Sequence, residues 1–375
     1  MKTRSAALRV VQVNYFFDKD LSDPDELLAR YVTLTGWSEA LARSGAGHAG
    51  VVQRFHRNAR LTRSGVDYVF AAGGAAAIAR EVARFAPDVA HVNGLIFPTK
   101  TWRLRRVLGP SASIVVQNHS DGGAVGRSPR LRIAGRAARG AVDAFLFAAD
   151  EHADAWRRAG FIAPRQPTYQ VMEASTDLQP IARAAAREET RIGGSPAVLW
   201  VGRLNANKDP LTVIEGFERS IDGRPEATLT MIYSADDWLP AVRERIDRSA
   251  ALRRRVRLVG AVPHARMAAF FSAADLFIVG SHHEGSGYAL MEACACGAVP
   301  VVTSIPTFRL LTGGLGAPWT PGDAADCARA LVDAASRDLE AERTRVANYF
   351  RAELSWDAIG ARAMEIYASV ISSRP

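Results

Sequence analysis

The sequence predicts an α/β protein built from two doubly wound, Rossmann-like parallel-sheet domains. Three observations carry that expectation. Short apolar, β-branched runs alternate with helix-patterned stretches almost throughout, which is how parallel strands covered on both faces read. The alternation starts afresh after a stretch rich in proline, charge and glycine. The chain, at 375 residues, also exceeds what one core usually organises.

In the first half, strands are expected at residues 9–16, 50–54, 67–70, 88–93, 113–117 and 143–147, with helices such as 36–43 and 75–85 between them. The second half repeats the theme at 197–201, 228–233, 256–259, 276–279 and 299–303. The boundary region, 161–196, holds Pro164, Pro167 and Pro180, a charged run around Arg183 and Glu189, and then Gly193-Gly194-Ser195-Pro196. Two helical segments, 339–354 and 356–371, follow the last expected strand. The expected domains are therefore 1–175, 176–352 and a helical segment 353–375 that packs back toward the first.

Composition narrows the class. A hydrophobic content of 48% and a charged content of 23% suit a soluble globular protein. The net charge of +8, from 47 Lys plus Arg against 39 Asp plus Glu, suits anionic ligands or an anionic membrane surface without identifying either. The run Met1 to Ala7 lacks a signal-peptide core, and no stretch reaches the roughly 18 to 20 apolar residues that span a bilayer. Cys294, Cys296 and Cys327 are too few for a disulfide framework and read as buried reduced thiols. The expected location is the cytoplasm. The basic segment 127–139 is a candidate for peripheral contact at the inner membrane face, although a solvated arginine-rich helix face is its plainer reading.

Two motifs are decoys. Gly45-Ala46-Gly47-His48-Ala49-Gly50 spells a dinucleotide fingerprint, but a helix precedes it and a strand follows, the reverse of what pyrophosphate binding needs. It reads as a glycine turn closing a helix, which disfavours a nicotinamide oxidoreductase. The acidic run 18–25 resembles a calcium loop, yet Asp23 stands where glycine is required and Ala29 where a bidentate glutamate is required.

The chemistry concentrates in the second half. Glu284 stands at the end of an expected strand and Glu292 about one turn into the next helix, Tyr288 to Cys296. A helix start between them binds anions, and carboxylates on either side suit sugar hydroxyls; the pair fits a nucleotide-sugar diphosphate. The plain alternative is an ordinary strand-loop-helix connection with two solvated acids. Gly202 and Arg203 likewise end a strand, with Lys208 in the following loop. Arginine as a planar fork and lysine as a point charge can both grip a diphosphate, or they are surface charge.

Taken jointly and in order, Gly202-Arg203 with Lys208-Asp209, the loop 258–262, Glu284-Gly285-Ser286-Gly287-Tyr288 running to Glu292, then 293–297, Val299-Pro300-Val301-Val302 and Pro321-Gly322-Asp323 resemble the retaining glycosyltransferases of family 4. The resemblance covers about 190 to 325 and implies the GT-B fold, two Rossmann-like domains facing across a cleft. It implies sugar transfer from a nucleotide diphosphate sugar to an acceptor hydroxyl on a glycan, a lipid-linked molecule or a small molecule. Configuration would be retained, with neither metal nor cofactor and no nucleic-acid partner. It implies that Arg203 and Lys208 neutralise the donor diphosphate, that Gly202 lets the protein backbone approach the donor closely, and that backbone N–H groups around Gly287, Tyr288 and Ala289 meet phosphate and sugar. Glu292 would hold the ribose, Glu284 the donor sugar, and Gly260, Ala261 and Val262 would border the base.

In the first domain the resemblance implies a histidine near the transferred sugar. His119 fits, following the strand 114–118 and preceding 120–123; His91 and Asn93 could line the same cleft. Family members carry a glycine pair at the first helix. Here only Gly36 is present, a candidate for the same cleft with Thr35 as the expected helix N-cap, behind a long acidic segment 18–31. The rival readings are a sugar-nucleotide epimerase or phosphorylase of GT-B build, and a catalytically silent nucleotide- or carbohydrate-binding protein. His282-His283-Glu284 is not expected to hold a metal, because adjacent histidines point apart.

Overall fold

The computed structural model describes residues 8–119, 128–222 and 226–374. The stretch 1–7, the loop 120–123 beyond His119 and Arg127 of the basic segment lie outside the described residues. The chain divides into two compact units, Met1–Ser175 with Trp356–Pro375, and Thr176–Ser355.

Unit 1 contains β1 (Arg9–Asn14), β2 (His48–Phe55), β3 (Ala59–Arg63), β4 (Val66–Ala72), β5 (Val89–Asn93), β6 (Ser113–Gln117), β7 (Ala144–Phe147) and β8 (Thr168–Gln170). They form one sheet in the order β3-β4-β2-β1-β5-β6-β7-β8. All pairings are parallel except β3 with β4. Strand β3 was not expected. It is a half-exposed edge strand, Ala-Arg-Leu-Thr-Arg, without an apolar run to mark it. The turn that creates it, Ser64-Gly65, holds both residues at positive φ (52° and 77°), the backbone of a tight hairpin.

Unit 2 contains β9 (Ala197–Gly202), β10 (Thr228–Tyr233), β11 (Val256–Gly260), β12 (Leu276–Val279), β13 (Val299–Thr303) and β14 (Ala317–Trp319). Their order is β11-β10-β9-β12-β13-β14, all parallel. Counted from β9, this is the doubly wound order 3-2-1-4-5-6, and its topological switch point lies between β9 and β12.

The strands read as continuous apolar runs because helices cover both faces. In unit 1 Val11, Val13, Val92, Ile114 and Trp156 are buried in one cluster; in unit 2 Val198, Trp200, Leu229, Ile278 and Val301 form another. The two decoys have structural roles. Gly45, at φ +89°, turns the chain out of the helix Val32–Arg43 toward β2, and Asp23 caps the helix Pro24–Arg30 through the amides of Asp25 and Glu26.

The expected helix start at Thr35 needs correction. The helix begins at Val32, directly after Pro24–Arg30, and its N-cap Tyr31 makes no side-chain capping bond. Thr35 lies inside it and its hydroxyl donates to Val32 O at 3.2 Å, the backward bond threonine makes in a helix interior. The helix Trp356–Ser372 packs on this one within unit 1. Two glycines permit the contact: a Cβ on Gly36 would lie 2.2 Å from the Trp356 ring, and one on Gly360 2.8 Å from the Ala40 backbone.

Candidate active site

At the switch point of unit 2, β9 delivers Gly202 and the exposed Arg203. A Cβ on Gly202 would lie 3.1 Å from the Trp200 ring, tighter than ordinary side-chain contact. The loop is held by Asn205, whose Oδ1 accepts from Lys208 N at 3.0 Å. Asp209, at φ +44°, then caps the helix Pro210–Ser220 by accepting from Thr212 N at 3.3 Å.

The loop after β12 is tied to this one by Asn207, which accepts from His283 N at 3.0 Å and donates to His283 O at 3.1 Å. Gly287, at φ +62°, opens the helix Tyr288–Ala295. A Cβ there would fall 2.6 Å from Leu311 Cδ1, so both conformation and space call for glycine.

These loops enclose a cavity of about 730 Å³ lined by Gly202, Arg203, Lys208, Ala261, Val262, Glu284, Gly287, Tyr288, Ala289 and Glu292. Gly260 is not on its wall; at φ +84° it ends β11 and turns Ala261 and Val262 toward the cavity. Lys208 and Glu284, mostly buried, form an ion pair, and Ser281 Oγ donates to the same Glu284 oxygen at 2.7 Å. Thr307 Oγ1 donates to Glu284 O at 2.7 Å and fixes the backbone. Arg203 has no ion pair among the described residues.

Glu292 lies deeper. Burial raises its pKa above the usual carboxylate range, and His264, whose Nε2 lies 2.7 Å from Glu292 Oε1, partly offsets that. Ser281, Asn207, Thr307 and His264 were not singled out from the sequence. Asn207, Thr307 and His264 act across loops distant in the chain, whereas Ser281 reaches Glu284 three residues on but stands in no motif that marks it. His282 contacts Asp209 at 3.3 Å, and no group of three or more metal-capable side chains converges among the described residues.

In unit 1 the C-terminal ends of β1, β2, β5 and β6 bring Asn14, Gln53, Asn93 and Gln117 around a second cavity, of about 360 Å³, which His119 also lines. His119 Nε2 lies 3.2 Å from Asn93 Oδ1, and Asn93 Nδ2 donates to Asn14 Oδ1 at 2.5 Å.

Two expected members of this cleft lie elsewhere. His91 is fully buried under the helix Trp356–Ser372, with its Nδ1 bonded to Tyr367 Oη and its ring edge-on to Trp37. Burial pushes its pKa down to about 3, so it is a neutral core residue. Gly36 is buried against Trp356 and does not line the cavity.

Residues 195–337 match the family described as glycosyl transferases group 1. Among curated relatives, the chain is 26% identical over 220 residues to the GDP-mannose:cellobiosyl-diphosphopolyprenol alpha-mannosyltransferase of Xanthomonas campestris, covering 57% of this chain and 56% of the relative. It is 30% identical over 207 residues to the D-inositol 3-phosphate glycosyltransferase of Xylanimonas cellulosilytica, covering 52% and 47%. The chain thus spans about half the length of the curated relatives it matches.

Among solved structures, sucrose-phosphate synthase from Thermosynechococcus elongatus superposes with a TM-score of 0.67 at 18% identity, covering 98% of this chain and 100% of the other. Anabaena HepE in complex with UDP gives 0.69 at 14%, covering 96% and 100%. At such identities the likeness concerns the fold, which is GT-B with its two parallel-sheet α/β domains. Over residues 195–337, and there alone, the chain matches the glycosyl transferases group 1 family, and the curated relatives it resembles are glycosyltransferases.

Proposed function

We propose that the protein transfers a sugar from a nucleoside-diphosphate sugar to an acceptor hydroxyl with retention of configuration and without a metal ion. The observation that carries this reading is the gathering of Arg203, Lys208, Glu284, Glu292 and the helix start 286–289 around one cavity. Two cations and a helix N-terminus supply the positive charge that a departing nucleoside diphosphate needs. Glu292, mostly buried on the same wall, accepts from ribose hydroxyls.

The Lys208–Glu284 pair gives the site an internal counter-ion. An entering diphosphate competes with Glu284 for the ammonium, and the carboxylate it displaces is then available to donor-sugar hydroxyls. In unit 1, His119 and Asn93 are assigned to the sugar-transfer end. The three cysteines are free and buried, which suits a reducing compartment, and we place the enzyme in the cytoplasm. Exposed Arg130, Arg132 and Ile133 on the helix Pro129–Ala138 support peripheral contact with an anionic membrane; no helix among the described residues is long and apolar enough to cross one.

The test is donor turnover in a screen of nucleoside-diphosphate sugars, with and without a chelator. Lys208→Ala and Glu284→Gln are each expected to lower turnover by about a hundredfold, the scale of lost transition-state electrostatics, with folding intact by circular dichroism. Unchanged turnover in both would remove the site assignment. A product formed from donor alone, other than by hydrolysis, would replace transfer with epimerisation.

A further inference from the structure

Unit 1 holds two cations that its own residues leave unbalanced. Beyond β1, Tyr15, Phe16 and Phe17 run past the end of β2 and the start of the helix Pro98–Leu108. Lys100 Nζ lies 4.3 Å from the Phe97 ring centroid and 5.4 Å from that of Tyr15. The Arg54 guanidinium carbon lies 4.9 Å from the Phe17 centroid. The ledge is fixed by Tyr15 Oη, which donates to Lys100 O at 3.3 Å, and by the edge-on packing of Tyr15 against Phe97 at 5.8 Å.

Neither cation has an ion pair or side-chain hydrogen bond among the described residues. Partial burial, and then the charge of Arg54, hold the Lys100 ammonium below the usual lysine range. Aromatic faces attract cations without neutralising them. Two half-buried like charges, neither ion-paired among the described residues, are relieved by an anion. Lys100 also stands in the first turn of an 11-residue helix, whose N-terminus adds positive potential.

The ledge borders the amide-lined cavity, because Phe97 carries Lys100 over its ring and also lines the cavity. That cavity carries no Lys or Arg among its described lining residues, and its volume of about 360 Å³ has room for a small polyol. Its primary amides, Gln12, Asn14, Gln53, Asn93 and Gln117, can donate to and accept from vicinal hydroxyls. Hydroxyl recognition and anion recognition are thus separated by one aromatic wall.

We propose that Arg54 and Lys100 form a phosphate subsite for the acceptor, whose polyol ring enters the amide-lined cavity while its phosphate or diphosphate rests on the aromatic ledge. The inference rests on the transferase reading above and adds the acceptor's class to it.

Titration calorimetry with inorganic diphosphate is expected to count two sites on the intact chain. Arg54→Gln with Lys100→Gln should lose one of them, or weaken it about tenfold or more, and Lys100→Arg should keep it. Arg203→Gln with Lys208→Gln should lose the other. If the Arg54/Lys100 variant binds both equivalents as the parent does, the subsite is refuted; if the Arg203/Lys208 variant does, the donor assignment fails instead. Glucose 6-phosphate in solution and an isoprenoid diphosphate in phosphatidylcholine vesicles separate the sources. The one bound by the parent and lost in the Arg54/Lys100 variant identifies a soluble or a lipid-borne phosphate, and unchanged binding of both overturns the proposal.

Discussion

On the proposed reading, Glu292 sits where donor binding and stability pull in opposite directions. Ribose hydroxyls would donate to the ionised carboxylate, while burial disfavours ionisation and raises the pKa. Donor KM should therefore climb on acidification at a pH above the ordinary glutamate value of about 4.3. Glu292→Gln should flatten that limb and raise donor KM about tenfold. Stability carries the other sign. A folded-state pKa above the unfolded one favours the native state while the group is protonated, and that contribution is lost as pH rises through the folded value. The glutamine variant should accordingly melt no lower than the parent at neutral pH, and its advantage should fade below the unfolded pKa; thermal scans across pH would show otherwise if the carboxylate stabilised the fold. Arg203, Lys208, Glu284 and Glu292 were legible in the sequence because each strand-loop-helix unit places its own ends. His264 was not, since it reaches Glu292 across 28 residues, and Asn207 reaches His283 across 76. His91 was misread for the same reason: its partner Tyr367 lies 276 residues away.

At the scale of elements, the contact between the helices Val32–Arg43 and Trp356–Ser372 depends on missing side chains. Gly36→Ala gains up to about 1 kcal/mol in helix propensity but drives a methyl into the Trp356 ring. Overpacking of that kind costs about 1–3 kcal/mol, so the expected result is a lower urea midpoint at unchanged slope. An equal or higher midpoint would mean that Trp356 moves aside freely. The sequence could not show why Gly36 is glycine, because the reason lies in a helix near the other end of the chain. Central strands were legible from apolar runs buried on both faces. The short strands β3, β8 and β14 were not, since an edge position or three-residue length leaves too little pattern to read.

For the whole molecule, the doubly wound class was legible because it follows from alternation, whereas the strand order required the pairings themselves. The split of unit 1 around unit 2 sets a large-scale expectation. The helix Trp356–Ser372 buries Trp356, Ile359, Ile366, Tyr367 and Val370, each at most 4% exposed. At about 1.5–3 kcal/mol per large apolar side chain, their loss is on the order of 10 kcal/mol, comparable with the whole stability of a domain. A chain stopped after Ser355 should therefore lose protection in hydrogen exchange throughout unit 1 while unit 2 keeps its own; protection retained in both would refute the dependence. The same split bears on vectorial synthesis. As the ribosome makes the chain, Thr176–Ser355 is contiguous and can close as soon as it is out, whereas the segment made first must wait, its Trp37 and His91 uncovered, until residue 372 emerges. The order of birth and the order of completion are reversed, and the nascent first half is the part that needs shelter.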